Sequence, residues 1–128
     1  MLFRSVPVVK DADRKTLLEV SRAVVELANR ARAKQLKPEE VTGGTFTITN
    51  PGVFGAIVGM PIISQPQLAI VSVGAVQKRV VVIDDAIAIR PMAFFSMGFD
   101  HRIIDGAVAD AFLHHMQRTL ETWDPEHA

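Results

Sequence analysis

"LAIVSVGAVQKRVVVIDDAIAIRPMAFFSMGF", residues 68–99, decides the architecture of this chain. It is dominated by β-branched and other apolar residues, and its clearest interruption is the pair Asp84-Asp85. That pattern predicts a strand from about 68 to 83, a turn at Asp84-Asp85, a short return strand at 86–90 and another strand from 92 to 99. Strands joined by so tight a turn run antiparallel.

Upstream, "GGTFTITNPG" (43–52) alternates Thr45, Thr47 and Thr49 with Phe46 and Ile48. This is the period of a half-buried strand, one face of which is a row of hydroxyls. Between the two strand regions, "GVFGAIVGMPIISQPQ" (52–67) has the glycines and prolines of a shaped loop. Earlier still, "DADRKTLLEVSRAVVELANRARAKQLKPEE" (11–40) carries Leu17, Val20, Val24, Leu27, Ala28 and Ala31 at helical spacing. Acidic residues precede that helix, and Arg30, Arg32 and Lys34 lie near its end. "KPEEV" (37–41) makes a short turn, and the β-branched "VPVVK" (6–10) reads as a strand. Downstream, "GAVADAFLHHMQRTLETW" (106–123) places Val108, Ala111, Phe112, His115 or Met116, and Leu120 on one helical face. The expectation is an α/β fold of the α+β sandwich kind: a mixed, largely antiparallel sheet with helices packed on it. It occupies residues 6–123, between a leader at 1–5 that reads as foreign to the domain and a polar tail at 124–128.

Composition limits the function. Lysine plus arginine equal aspartate plus glutamate at 14 each, so no overall field draws the chain to nucleic acid or to an anionic membrane. The absence of cysteine excludes disulfides and thiolate nucleophiles, and no metal site is expected. Apolar runs stop well short of the roughly 20 residues of a membrane span, and "MLFRS" lacks a signal peptide's apolar region. A cytoplasmic location is expected. With 48% hydrophobic residues in 128, the chain also has apolar surface to share, and self-association is the simplest outlet.

"GFDHRIIDGA" (98–107) holds the chemistry. His101 sits where a strand gives way to a loop, before a helix whose expected N-cap is Asp105. A neutral imidazole is the side chain best suited to take a proton from a thiol or hydroxyl near neutral pH. Taken alone, the segment reads more simply as a surface-loop histidine beside two capping aspartates and an arginine. Elsewhere, Gly52, Gly55 and Gly59 do not form a dinucleotide-binding GxGxxG, and loop shaping accounts for them. His114 and His115 have no supporting ligand pattern.

"DHRIIDG" (100–106) resembles the DHRxxDG signature of the dihydrolipoamide acyltransferases, the core subunits of 2-oxo acid dehydrogenase complexes. It contains the shorter HxxxDG of chloramphenicol acetyltransferase and its relatives. "VPVVKDADRKTLLEVSRAVVELANRAR", "GGTFTITNPGVFG", "MPIISQPQLAIVSVGAVQKR" and "IAIRPMAFFSMGFDHRIIDGA" resemble, in order, successive segments of that family, over about residues 6–123. The resemblance implies a chloramphenicol-acetyltransferase-like fold. It implies that His101 is the general base that deprotonates the thiol of coenzyme A for attack on an S-acyl-dihydrolipoyl thioester. Thr49, in the family's "FTI(S/T)N" strand, would donate to the oxyanion. Asp105 would maintain the architecture or electrostatics of the site, Gly106 would keep the loop or channel clear, and Asp100 and Arg102 would pair structurally.

The resemblance reaches only the C-terminal half of the family's catalytic domain, so the chain reads as truncated at its N-terminus, and without the other half, which carries much of the coenzyme A and substrate channel, independent activity is not expected of it. No lipoyl domain is expected within these residues; Lys10 does not have the setting of a lipoyl lysine, and the lipoyl group would arrive on a separate domain. Gly98 and Phe99 stand where the family commonly has a serine and a tyrosine. The implied partners are other copies in a trimer or larger shell, with the histidine from one subunit and the hydroxyl from its neighbour, and the dehydrogenase components of the complex. Two other readings stand beside acyl transfer to coenzyme A: a non-catalytic oligomeric core piece, and another HxxxDG transferase acting on an amine or alcohol. The acyl group itself, acetyl, succinyl or branched-chain, is not legible.

Overall fold

In the computed structural model, which describes residues 6–124, the chain divides into two compact units, residues 6–45 with 123–124 and residues 46–122. The leader at 1–5 and most of the tail lie outside the described residues.

The first unit is built on helix α1, Leu17–Arg32. Thr16 starts it with a capping box: its hydroxyl accepts from the Glu19 N–H at 3.3 Å, and the Glu19 carboxylate accepts from the Thr16 N–H at 2.8 Å. Two otherwise orphaned donors are thereby satisfied. Leu27 is buried and Val20, Ala28 and Ala31 are half-buried, as their spacing predicts, but Leu17 and Val24 stay more than half exposed. Arg30 Nη2 lies 2.6 Å from Glu40 Oε1, tying α1 to the short 3₁₀ turn Pro38–Val41. The strand expected at 6–10 does not form. Pro7 has no N–H to give, and the segment's neighbour is that 3₁₀ turn instead of an extended chain, so the Val8 N–H bonds Glu40 O at 2.8 Å and no ladder follows.

The second unit holds both sheets. Strands β1 (Thr47–Thr49), β2 (Ala69–Val73) and β5 (Phe95–Phe99) form a three-stranded sheet in the order β1-β2-β5; β3 (Gln77–Ile83) and β4 (Ala86–Met92) form a separate hairpin. β1 runs parallel to β2, and the other two pairings are antiparallel. Asp84 and Asp85, both at positive φ (49° and 59°), make the predicted two-residue turn.

The long strand expected over 68–83 is in fact β2 and β3, assigned to different sheets. Gly74 is the physical cause. Its N–H still donates to Phe94 O, extending the β2–β5 register one residue, but the next N–H, of Ala75, turns to Ala56 O, each at 2.8 Å, and there the backbone leaves the ladder. A Cβ at Gly74 would stand 1.9 Å from the Ile57 carbonyl oxygen; only glycine admits so close an approach.

Helix α2, Gly106–Glu121, packs near β5. Its inward face is Ala109, 2% exposed, with the half-buried Leu113 and Met116. Of the face expected from sequence Met116 turns inward, but Val108, Phe112 and Leu120 are 59%, 39% and 55% exposed, and the buried stripe begins one position later, at Ala109 and Leu113. A small alanine lets the helix approach the sheet closely, and Phe112 meets Phe46 at the side, with ring centroids 5.6 Å apart. The buried centre is Ala69, Ile70, Val71 and Ser72 of β2. Among the described residues no helix is long and apolar enough to cross a membrane, and no group of three or more metal-ligating side chains is placed to hold an ion.

Candidate active site

The corner between β5 and α2 is held from both sides. On the strand side, the Asp100 N–H donates to Leu68 O at 2.8 Å, continuing the β2–β5 ladder one residue past β5. The Asp100 carbonyl then accepts from Ile103 and Ile104 at 3.0 and 2.9 Å, closing the turn. Its carboxylate accepts the Arg102 N–H at 3.0 Å and the Arg102 guanidinium through Nε at 2.9 Å and Nη2 at 2.6 Å. The guanidinium hydrogen bonds, then the backbone bond, hold the Asp100 carboxyl down at about 2, and the same contact pushes Arg102 up. The expected pairing of these two residues is therefore present. On the helix side, Asp105 is the N-cap, its Oδ1 accepting from the Val108 N–H at 2.8 Å, as the sequence predicts.

Between these anchors stands His101. It is exposed, its ring lies 5.4 Å from that of Phe99 at an angle of 38°, and no hydrogen bond from the described residues reaches its nitrogens. The backbone is fixed and the imidazole is free to meet a partner. Gly106 is the first residue of α2, and a Cβ there would meet nothing within 4 Å. Within this chain the corner does not require glycine.

Thr49 ends β1 and is half-buried. Asn50 follows and caps the 3₁₀ turn Pro51–Phe54 by accepting the Val53 N–H at 3.3 Å. The sheet register separates Thr49 from His101. Thr49 pairs with Ser72, Phe99 with Ala69, and Asp100 bonds Leu68. Extending the register sets His101 opposite residue 67, five positions from Thr49's partner and two strands across. At about 3.3 Å per residue and about 4.8 Å per strand the two lie roughly 19 Å apart. Proton transfer and oxyanion donation need contacts near 3 Å, so one copy of the chain does not bring them to a common substrate atom.

The hydroxyl row seen in the sequence extends further than the sequence suggests. Thr49, Ser72 and Ser96 are cross-strand partners on one face of the sheet, with Thr47 two residues before Thr49. The 51–67 loop covers this face: Ser96 donates to Gly59 O, and Thr47 donates to Gln67 Oε1 at 2.5 Å. Ile48, on the opposite face, is 66% exposed, the reverse of the usual apolar-in alternation. Sequence reading missed Ser72 and Ser96. The available signal was a serine inside "AIVSV", a run apolar enough to be a buried strand.

Two depressions flank these elements. A cleft of about 430 Å³ runs from Pro61-Ile62-Ile63 past Gln65 and Gln67 to Gly98, Phe99 and Asp100, adjoining the His101 corner. Gly98 lets the Pro61 backbone close against β5 at this edge, since a Cβ there would press to 2.9 Å from the Pro61 carbonyl oxygen. A more apolar groove of about 470 Å³ lies between α2 and the β4–β5 junction; none of His101, Thr49 and Asp105 lines it.

The family described as 2-oxoacid dehydrogenases acyltransferase (catalytic domain) matches residues 5–128. The chain belongs to that family. Among similar acyltransferases, the succinyltransferase component of the 2-oxoglutarate dehydrogenase complex of Bartonella vinsonii subsp. berkhoffii is 44% identical over 121 residues, 94% of this chain and 29% of the relative. A probable dihydrolipoamide acetyltransferase from Listeria monocytogenes 4b F2365 superposes with a TM-score of 0.92 at 41% identity, covering 96% of this chain and 53% of that one. The dihydrolipoamide acetyltransferase of Azotobacter vinelandii superposes with a TM-score of 0.88 at 35% identity, covering 91% of this chain and 48% of its own. In that acetyltransferase the catalytic roles of a serine, a histidine 52 residues later and an asparagine four residues further on have been investigated. This member of the acyltransferase family thus spans about half of the two solved cores and under a third of the Bartonella relative.

Proposed function

We propose that this chain supplies the histidine half and the hydroxyl half of an acyltransferase site that is completed between copies, moving an acyl group between dihydrolipoyl thiols and coenzyme A. The observation that carries the reading is the corner itself, an exposed imidazole on a backbone clamped by the Asp100–Arg102 pair before it and the Asp105 cap after it. Spacing supports the assignment: His101 stands 52 residues after Thr49 and four before Asp105, as the histidine of the Azotobacter enzyme stands to its serine and asparagine. The departure at the last position, a carboxylate in place of an amide, fits a residue whose local duty is to cap a helix.

In the proposed reaction the His101 imidazole accepts the thiol proton of coenzyme A, the thiolate attacks the acyl thioester, and a neighbouring copy's Thr49 hydroxyl donates to the carbonyl oxygen as it gains charge. The imidazolium returns the proton to the departing dihydrolipoyl thiolate. The cleft beside Phe99 and Asp100 gives a thiol-bearing arm an approach to the corner. Assembly is favoured by the hairpin: on one face Val80 pairs with Ile89 and Val82 with Ile87, all 62–80% exposed, while the other face is partly covered. Such a contiguous apolar patch marks an association surface.

The test is coenzyme-A-dependent acyl transfer to free dihydrolipoamide. His101→Ala is expected to lower the rate by about 10²–10⁴-fold, the range for a positioned base. Equal rates for variant and wild type, or no transfer by the wild type, would eliminate the proposal.

A further inference from the structure

We infer that Ser72 is a positioning residue for Thr49, turning its hydroxyl to hold the Thr49 hydroxyl in line with the developing oxyanion. The inference rests on the acyl-transfer reading of Thr49 and adds a residue to it. Three observations carry it. Ser72 is 1% exposed, and its Oγ has no hydrogen-bond partner. A buried hydroxyl without a partner is rare because water can no longer solvate it, so each instance calls for a reason. Second, Thr49 and Ser72 are directly paired in the parallel β1–β2 ladder, so their side chains leave the same face about 4.8 Å apart. Rotation about χ1 brings one hydroxyl within reach of the other. Third, of the two hydroxyls paired with Ser72, that of Thr49 makes no hydrogen bond among the described residues, so its direction is otherwise unset. Ser96, the neighbour on β5, already spends its proton on Gly59 O. Gly59 lies over Ser72 so tightly that a Cβ there would come 2.2 Å from Ser72 Oγ and 2.9 Å from Pro51 Cγ. Ser96 can still accept from Ser72, but its own bond already orients it, so Thr49 is the hydroxyl whose direction a bond from Ser72 would set.

The consequence is chemical. A threonine hydroxyl that only donates is free to rotate among its rotamers. One that also accepts from Ser72 has its lone pair engaged, and its own proton points toward the open side. Ser72 touches no substrate; it acts through Thr49.

A double-substitution cycle on the assembled full chain tests this with Ser72→Ala, Thr49→Val and the pair, read by kcat, KM for coenzyme A and urea midpoint. Ser72→Ala is expected to lower kcat about tenfold with KM unchanged, the scale of one lost hydrogen bond. It should cost nothing further in the Thr49→Val background. In urea, Ser72→Ala should lower the midpoint when Thr49 is present and leave it unchanged or raise it in the Thr49→Val background, where the serine hydroxyl has lost its partner. Equal factors in kcat with and without Thr49, a loss confined to KM, or midpoint shifts that simply add would each overturn the inference. If the wild type transfers no acyl group, the acyl-transfer reading falls by itself, and the urea cycle alone decides whether Ser72 serves Thr49.

Discussion

Mixing two inactive chains should make an active one. The register of the β1-β2-β5 sheet leaves Thr49 and His101 roughly 19 Å apart within a copy by strand geometry, so under the proposed reaction each working site would draw its base from one chain and its oxyanion donor from the next. His101→Ala removes the base, with an expected loss of about 10²–10⁴-fold; Thr49→Ala removes the donor, with an expected loss of about 10²–10³-fold. When the two variants are unfolded together and refolded at equal concentration, half the chains offer an intact histidine and half of their neighbours an intact hydroxyl. In a closed ring of head-to-tail interfaces about one quarter of the sites are then whole. The mixture should run at about one quarter of the wild-type rate, far above either parent. The assay is coenzyme-A-dependent transfer to dihydrolipoamide, with native mass spectrometry of differently labelled chains to show that hetero-assemblies formed. Hetero-assemblies no faster than the better parent would refute the inter-copy site, because a site built within one chain gains nothing from a neighbour.

Two further outcomes follow from the same geometry. The Asp100 carboxyl lies at about 2, below the ordinary 3.8, because Arg102 hydrogen-bonds its charged form; its contribution to stability is complete above about pH 4 and is lost as pH falls toward 2. Arg102→Gln should therefore return the carboxyl midpoint, followed by NMR, toward 3.8 and flatten that limb of the stability profile, whereas an unmoved midpoint would refute the pairing. Gly74→Ala should destabilise by about 2–5 kcal/mol, combining overpacking with strain on two backbone hydrogen bonds, while Gly106→Ala, opening a helix in empty space, should cost nothing or stabilise slightly in urea denaturation.

The parts of this fold that local chemistry dictates could be read directly. Asp84-Asp85 between β-branched runs, an aspartate one residue before α2, and the apolar period of α1 each specify their own neighbourhood. What could not be read depends on distant approach. The break at Gly74 exists because the Ile57 carbonyl comes from another loop to fill the missing Cβ. The α2 face turned by one position because Ala109, not the larger Val108 or Phe112, faces inward. The candidate site divides in the same way. Asp105 as a cap and Asp100–Arg102 as a pair follow from sequence neighbours, whereas Ser72 joins Thr49 only through strand pairing, and the gap between Thr49 and His101 only through register.

The β3–β4 hairpin carries a consequence for handling and evolution alike. A two-stranded ribbon is marginal alone, and this one shows water four large aliphatic side chains on a single face. Its ordering should thus be coupled to concentration: dilute chains would keep the ribbon fraying, and crowded ones would trap whichever neighbour arrives first, correct or not. With the proposed inter-copy site, dilution would then extinguish catalysis abruptly, at the threshold where copies part and while α1, α2 and the three-stranded sheet of each chain still hold.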